Sequence, residues 1–106
     1  MLNYGSDREC VAVCDRLIAL DPDFADAYYD AGLAYVNLAV AHKTVPSKRQ
    51  KMLDYYRLAR PYMERYRQLA PNQAARWARP LYNIYLELNQ GKEFVEIERI
   101  MKELSQ

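Results

Sequence analysis

The chain has 106 residues, 51% of them hydrophobic, with a net charge of +1, which is enough for one small domain and one core. Ten tyrosines, three glycines and long runs of Leu, Arg, Glu and Met favour helix over sheet. The longest apolar runs fall far short of the ~20 residues of a membrane span, and two cysteines make no disulfide framework.

The small net charge hides a segregation. Residues 1–40 carry seven acids and two bases, residues 41–80 ten bases and two acids, and residues 81–106 five acids and three bases. A basic middle between acidic ends either steers an acidic partner or draws neighbouring helices together; the second is the ordinary use of charge in a small bundle.

Tyr4-Gly5-Ser6 reads as a helix end and a turn, with Ser6 or Asp7 able to cap a helix over 8–20. That helix groups Val13, Leu17 and Leu20 beside Cys10 and Cys14. Asp21-Pro22-Asp23 ends it, because proline cannot continue a helix and disfavours helical geometry just before itself. The spacing predicts a second helix over 24–41, capped by Asp23, with Phe24, Tyr28, Ala31, Tyr35 and Leu38 on one stripe. Gly32 costs about 1 kcal/mol there against alanine, so a neighbouring helix is expected to approach closely.

His42 to Ser47 is a break, and Ser47 with Gln50 has capping-box spacing for a long helix over 48–70. Met52, Tyr55, Tyr56, Ala59, Tyr62, Met63, Tyr66 and Leu69 share its apolar face; Pro61 lies opposite, where a bend rather than a break is expected. Ala70-Pro71-Asn72 repeats the earlier turn. A fourth helix over 73–88 carries Trp77, Leu81, Ile84 and Leu88 on one lane and Ala75, Tyr82 and Leu86 on another, as for a helix between two neighbours, with a local kink at Pro80. After the turn Asn89 to Gly91, a helix over 92–104 uses Phe94, Ile97, Met101 and Leu104.

Helix, proline turn, helix is the first pattern to test for a repeat. Tyr28-x2-Ala31-Gly32-x2-Tyr35 resembles the first-helix motif of tetratricopeptide repeats, Trp-x2-Leu-Gly-x2-Tyr. Ala59-x3-Met63 with Pro71, and Cys10-x3-Cys14 with Pro22, resemble the second-helix motif, Ala-x3-Phe with a terminal proline. Trp77 and Ile84 open a third unit, in which Pro80-Leu81 replaces the usual Leu-Gly pair. Pro22 and Pro71 stand 49 residues apart, well beyond the family period of about 34 residues. The excess falls between Leu38 and Tyr55, so the central repeat is elongated, with a basic insertion around 41–51.

The resemblance implies an all-α fold of about five helices in antiparallel hairpins, a tetratricopeptide-like superhelix. It implies one domain over 1–106, with 1–22 the second half of a repeat, 23–71 an elongated repeat and 72–106 a third, divergent one. Opening half a repeat in is the pattern of a piece of a longer repeat protein. By the same resemblance Asp26, Tyr29, Asp30, Leu33 and Asn37, with Arg79, Tyr82 and Asn83, face a groove that binds a protein or peptide. The subclass that clamps a C-terminal carboxylate needs Lys, Asn and Arg; here Tyr29, Asp30 and Leu33 stand in those places and only Arg79 fits.

Other chemistries find little support. Cys10 and Cys14 lie one helical turn apart, but a metal site would need two further ligands, and the pair reads as core. Lys43, Lys48, Arg49, Lys51, Arg57, Arg60, Arg65 and Arg67 are spread around an outer face, and the nearby tyrosines fall on the apolar one, so nucleic acid is not the expected partner. There is no Ser or Cys nucleophile with a plausible His base, His42 being the only histidine, and no Gly-rich phosphate loop. The expectation is therefore an interaction module or scaffold, not an enzyme, with no catalytic residue, metal or cofactor. The alternative is a structural or self-associating segment of a larger or homo-oligomeric protein. No leader or lipidation motif is visible; the compartment stays open, with a cytoplasmic one favoured.

Overall fold

The Ser6 hydroxyl accepts from the Glu9 N–H at 3.2 Å, satisfying one of the unpaired donors of a helix start. Residues 6–105 are described by the computed structural model; the expectation for Tyr4-Gly5 falls outside them. Five helices follow: α1 (Asp7–Leu20), α2 (Ala25–Ala41), α3 (Arg49–Leu69), α4 (Ala74–Glu87) and α5 (Gly91–Leu104). No strand occurs among the described residues, so the fold is all-α.

Two expected caps are replaced by other devices. Asp23 does not cap α2; Phe24 holds the N-cap position and offers no side-chain acceptor. The turn is built instead by Asp21, whose carboxylate accepts from the Asp23 N–H at 3.2 Å, and by the Tyr28 hydroxyl, which donates to the Pro22 carbonyl at 2.8 Å. The Ser47/Gln50 capping box is likewise absent. Pro46 opens a short 3-10 turn, Pro46–Lys48, that displaces the start of α3 to Arg49 and leaves Gln50 bonded to Asp54 at 3.0 Å. Proline suits the first position of such a turn because its missing N–H would have had no partner there.

α2 lies at the centre of the packing. Ala27, Ala31 and Ala34 are buried against Cys10, Val11 and Cys14 of α1. Gly32 meets Met63 of α3, and Val36 and Ala39 enter the larger core cluster. The buried set is therefore mostly small residues on several sides, not the single aromatic stripe expected: Phe24 is exposed, while Tyr28, Tyr35 and Leu38 are half-buried. A helix with neighbours on two or more sides needs small side chains so that the backbones can come close.

α3 buries Met52, Tyr55, Tyr56, Ala59, Met63 and Tyr66 and runs unbroken through the exposed Pro61. In α4, Trp77, Leu81 and Ile84 are buried as expected, with Pro80 buried on their side, but the second lane is Ala78 and Tyr85; Ala75 and Leu86 are exposed. α5 buries Ile97 fully and leans Phe94, Ile100 and Met101 on the core, after a turn in which Asn89 adopts φ 57°. Asn is among the few residues other than glycine that enter this left-handed region at modest cost.

Alternate helices run parallel. Arg8 donates to the Tyr55 hydroxyl at 2.6 Å and the Tyr62 hydroxyl donates to Asp15 at 2.6 Å, a seven-residue step on both α1 and α3. Asp26 pairs with Arg76 near the starts of α2 and α4 (3.6 Å), and Lys43 pairs with Glu87 near their ends (3.4 Å). Successive helices thus reverse direction, and the molecule is a slab of 38 × 34 × 20 Å. Its thin dimension is two helix diameters.

The charge segregation is used largely within the fold. Arg65 reaches Asp23, Arg76 reaches Asp26, Arg67 reaches Glu96 at 2.6 Å and Lys43 reaches Glu87. Each exposed pair contributes about 0–1 kcal/mol, so their effect is chiefly to favour this pairing of helices over others.

Candidate binding face on α2 and α4

Asp26, Asp30, Leu33 and Asn37 recur at helical spacing and form one lane along α2. Asp26 and Asn37 are exposed; Asp30 and Leu33 are half-buried. Arg76, Arg79 and Asn83 form the corresponding lane on α4, the two arginines exposed and Asn83 half-buried. The Asp26–Arg76 pair joins the lanes at one end of the face.

Tyr29 supports this end. Its ring lies 4.9 Å from that of Tyr66, and the Arg76 guanidinium stands 5.6 Å above it. Burial raises the Tyr29 hydroxyl above its ordinary pKa, opposed by the nearby Arg76 cation, so it stays protonated over the physiological range. Tyr66 packs beneath it and is itself 1% exposed. An arginine held over a packed ring loses less side-chain freedom on binding than one hanging in water.

On its other border the α2 lane meets α1. Asn37 donates to the Asp7 carboxylate at 3.5 Å, and the Asp30 carbonyl accepts from the Cys10 thiol at 3.5 Å. On the α4 side, Arg79 forms no ion pair among the described residues. Tyr82 belongs elsewhere: its ring packs on Phe94 of α5 with centroids 5.0 Å apart.

Of the residues singled out in the sequence, Asp26 and Tyr29 therefore meet at one end, Asp30 and Asn37 lie along the α1 border, and Arg79 and Asn83 lie on α4. Arg76 was not among them, although it stands three residues before Arg79 on the same lane. Its spacing was the available signal.

The remaining candidate chemistries have structural partners. Cys10 and Cys14 are buried with sulfurs 3.9 Å apart, and no group of three or more His, Cys, Asp or Glu among the described residues could hold a metal ion. The His42 Nδ1–H donates to the Leu38 carbonyl at 2.7 Å, closing the end of α2, and the ring packs on Tyr55. Glu64 accepts from Arg60 (3.2 Å) and from the Tyr85 hydroxyl (2.6 Å), tying α3 to α4. Burial first, then that carboxylate, push the Tyr85 hydroxyl far above the ordinary tyrosine range. Within the basic set, Arg57 pairs with Asp54, while Lys48, Arg49 and Lys51 are exposed and form no ion pair among the described residues. No described helix is long and apolar enough to cross a membrane. In comparisons with known proteins the chain matches no family model, no curated protein and no solved structure.

Proposed function

We infer that the chain is a divergent tetratricopeptide-like repeat domain whose α2–α4 face binds a segment of another protein. The observation that carries this reading is the parallel α2–α4 pair, which offers carboxylates, an amide, an apolar side chain and guanidinium groups along one exposed face. The antiparallel succession of helices and the parallel relation of alternate ones support the repeat reading. The mechanism is equilibrium binding on a preformed surface: Arg76 and Tyr29 are already held, so little ordering cost falls on the domain. Arg79 is the natural anchor, because arginine combines contact area with directed donors.

Selection of peptides from a random display library against the folded domain, followed by fluorescence anisotropy, tests this. Arg79→Glu is expected to weaken a selected peptide by about 10–30-fold, the scale of one arginine hot spot. Asn37→Ala is expected to weaken it less, and Arg99→Glu on α5 not at all. Unchanged affinity in both Arg79→Glu and Asn37→Ala would remove the face from consideration. Tyr29→Ala is a poor probe, since it also takes away the ring packed on Tyr66.

A second reading, self-association, rests on α1. Val13, Leu17 and Leu20 share one stripe; Leu20 is 84% exposed, and Phe24 past the turn is exposed as well. Light scattering on this reading gives a mass above the monomer, and Leu20→Glu restores the monomer without lowering the melting temperature. A monomeric wild-type chain at high concentration disposes of it.

A further inference from the structure

Cys10 and Cys14 lie on the packed side of α1 with no disulfide between them, and they are the only cysteines in the chain. Together with Val11 they are the only buried residues of that helix, seated on Ala27, Ala31 and Ala34 of α2. Long polar side chains provide further links, from Arg8 to Tyr55, from Tyr62 to Asp15 and from Asn37 to Asp7. A helix held by so few buried side chains belongs to the part of a fold that opens most readily.

We propose that Cys10 and Cys14 form a reversible disulfide when α1 opens, and that the bond prevents α1 from reseating on α2. The sulfurs are already 3.9 Å apart, close enough to find each other at once on opening. Closure, however, does not fit a regular helix. A disulfide holds its two Cβ atoms at about 3.5–4.5 Å. Residues four apart on a helix hold theirs at about 5–6 Å. The crosslink therefore distorts the turn between residues 10 and 14, which carries every buried side chain of α1. Strain of this kind makes the bond easy to reduce, so the device returns when reductant does.

While α1 is seated the thiols are protected. Burial, reinforced by the neighbouring Cys14, pushes the Cys10 thiol up to about 12, and the thiol form does not attack. Exchange must start from the open helix. One cysteine thiolate then attacks a sulfur of oxidised glutathione, forming a mixed disulfide and expelling one glutathione thiolate. The second cysteine thiolate attacks the protein sulfur of that bond and expels the other. Two protein thiols are oxidised, one glutathione disulfide is reduced, and the two protons given up end on two glutathione thiols. The open state uncovers Ala27, Ala31 and Ala34 and frees Asn37 from Asp7.

The test reads disulfide formation and stability, not binding, so its failure leaves the α2–α4 binding reading untouched. The folded protein is incubated with oxidised glutathione and digested with trypsin, which releases residues 9–16 with both cysteines in one peptide. That peptide is expected to lose two hydrogens. The melting midpoint is expected to fall by about 5–10 °C, and amide exchange to rise in α1 while α3 and α4 stay protected. Dithiothreitol restores both. A peptide that stays as the dithiol, or stops at a glutathione adduct, overturns the proposal. So does a disulfide that leaves the melting midpoint unchanged. Cys10→Ser cannot close the bond; an equal loss in that variant would assign the effect to something other than the crosslink.

Discussion

Trp77→Ala is expected to bring this domain close to unfolding. Trp77 is 4% exposed and belongs to the main core cluster. Its indole N–H donates to the Ala70 carbonyl at 3.1 Å, and the Arg67 guanidinium lies 4.5 Å from its ring. One side chain thus joins the start of α4, the Ala70-Pro71-Asn72 turn and the last turn of α3. Replacing a buried tryptophan by alanine costs about 3–5 kcal/mol. A domain of this size has only about 5–15 kcal/mol in total. The melting midpoint should fall by about 15–25 °C. Trp77→Phe keeps most of the apolar volume and leaves the Ala70 carbonyl its bond from the Gln73 N–H at 3.0 Å, so losing the indole donor should cost only about 1 kcal/mol. Thermal melts followed by far-UV circular dichroism check both. A loss under about 1 kcal/mol for the alanine variant would mean that the α3–α4 junction does not depend on this ring.

How much of this arrangement could be read beforehand depended on whether the determinant was local. Helix periodicity and proline are local, so the five helices were legible, with every end within one residue. Ser6 was legible because a cap reads its own helix. Asp23 and Ser47 misled for one shared reason: a capping residue counts only in the register the chain adopts. The Asp21 carboxylate and Pro46 fixed those two registers differently. The second lane of α4 was misassigned because it depends on where α5 and α2 lie, and no periodicity within α4 carries that information. The candidate face divides in the same way. The family resemblance singled out Asp26, Tyr29, Asp30, Leu33 and Asn37, whereas the partnership of Tyr82 with Phe94 and of Asp26 with Arg76 needed the tertiary fold.

Gly32 provides the sharpest test of the packing at the centre of the molecule. A Cβ at this position would stand 2.8 Å from the Met63 Cε and 3.4 Å from the Met63 backbone nitrogen. The first atom is the tip of a flexible side chain and can move; the second belongs to the α3 backbone and cannot. Gly32→Ala should therefore be nearly neutral, a helix-propensity gain of about 1 kcal/mol offsetting the displacement of the methionine tip. Gly32→Leu has no such escape. Its branch must push α2 away from α3, loosening Ala39, Tyr56, Ala59 and Tyr66 together, and a loss of about 3 kcal/mol or more is expected. Met63→Ala alone should cost about 2–5 kcal/mol, because Met63 is fully buried. The double variant distinguishes the explanations. If Gly32 exists for close approach to Met63, leucine fills part of the space that alanine opens, and the double variant recovers at least 1 kcal/mol relative to the sum of the single changes. Strict additivity in denaturant melts would mean that the glycine serves some other purpose, and that the two helices are not held together by this contact.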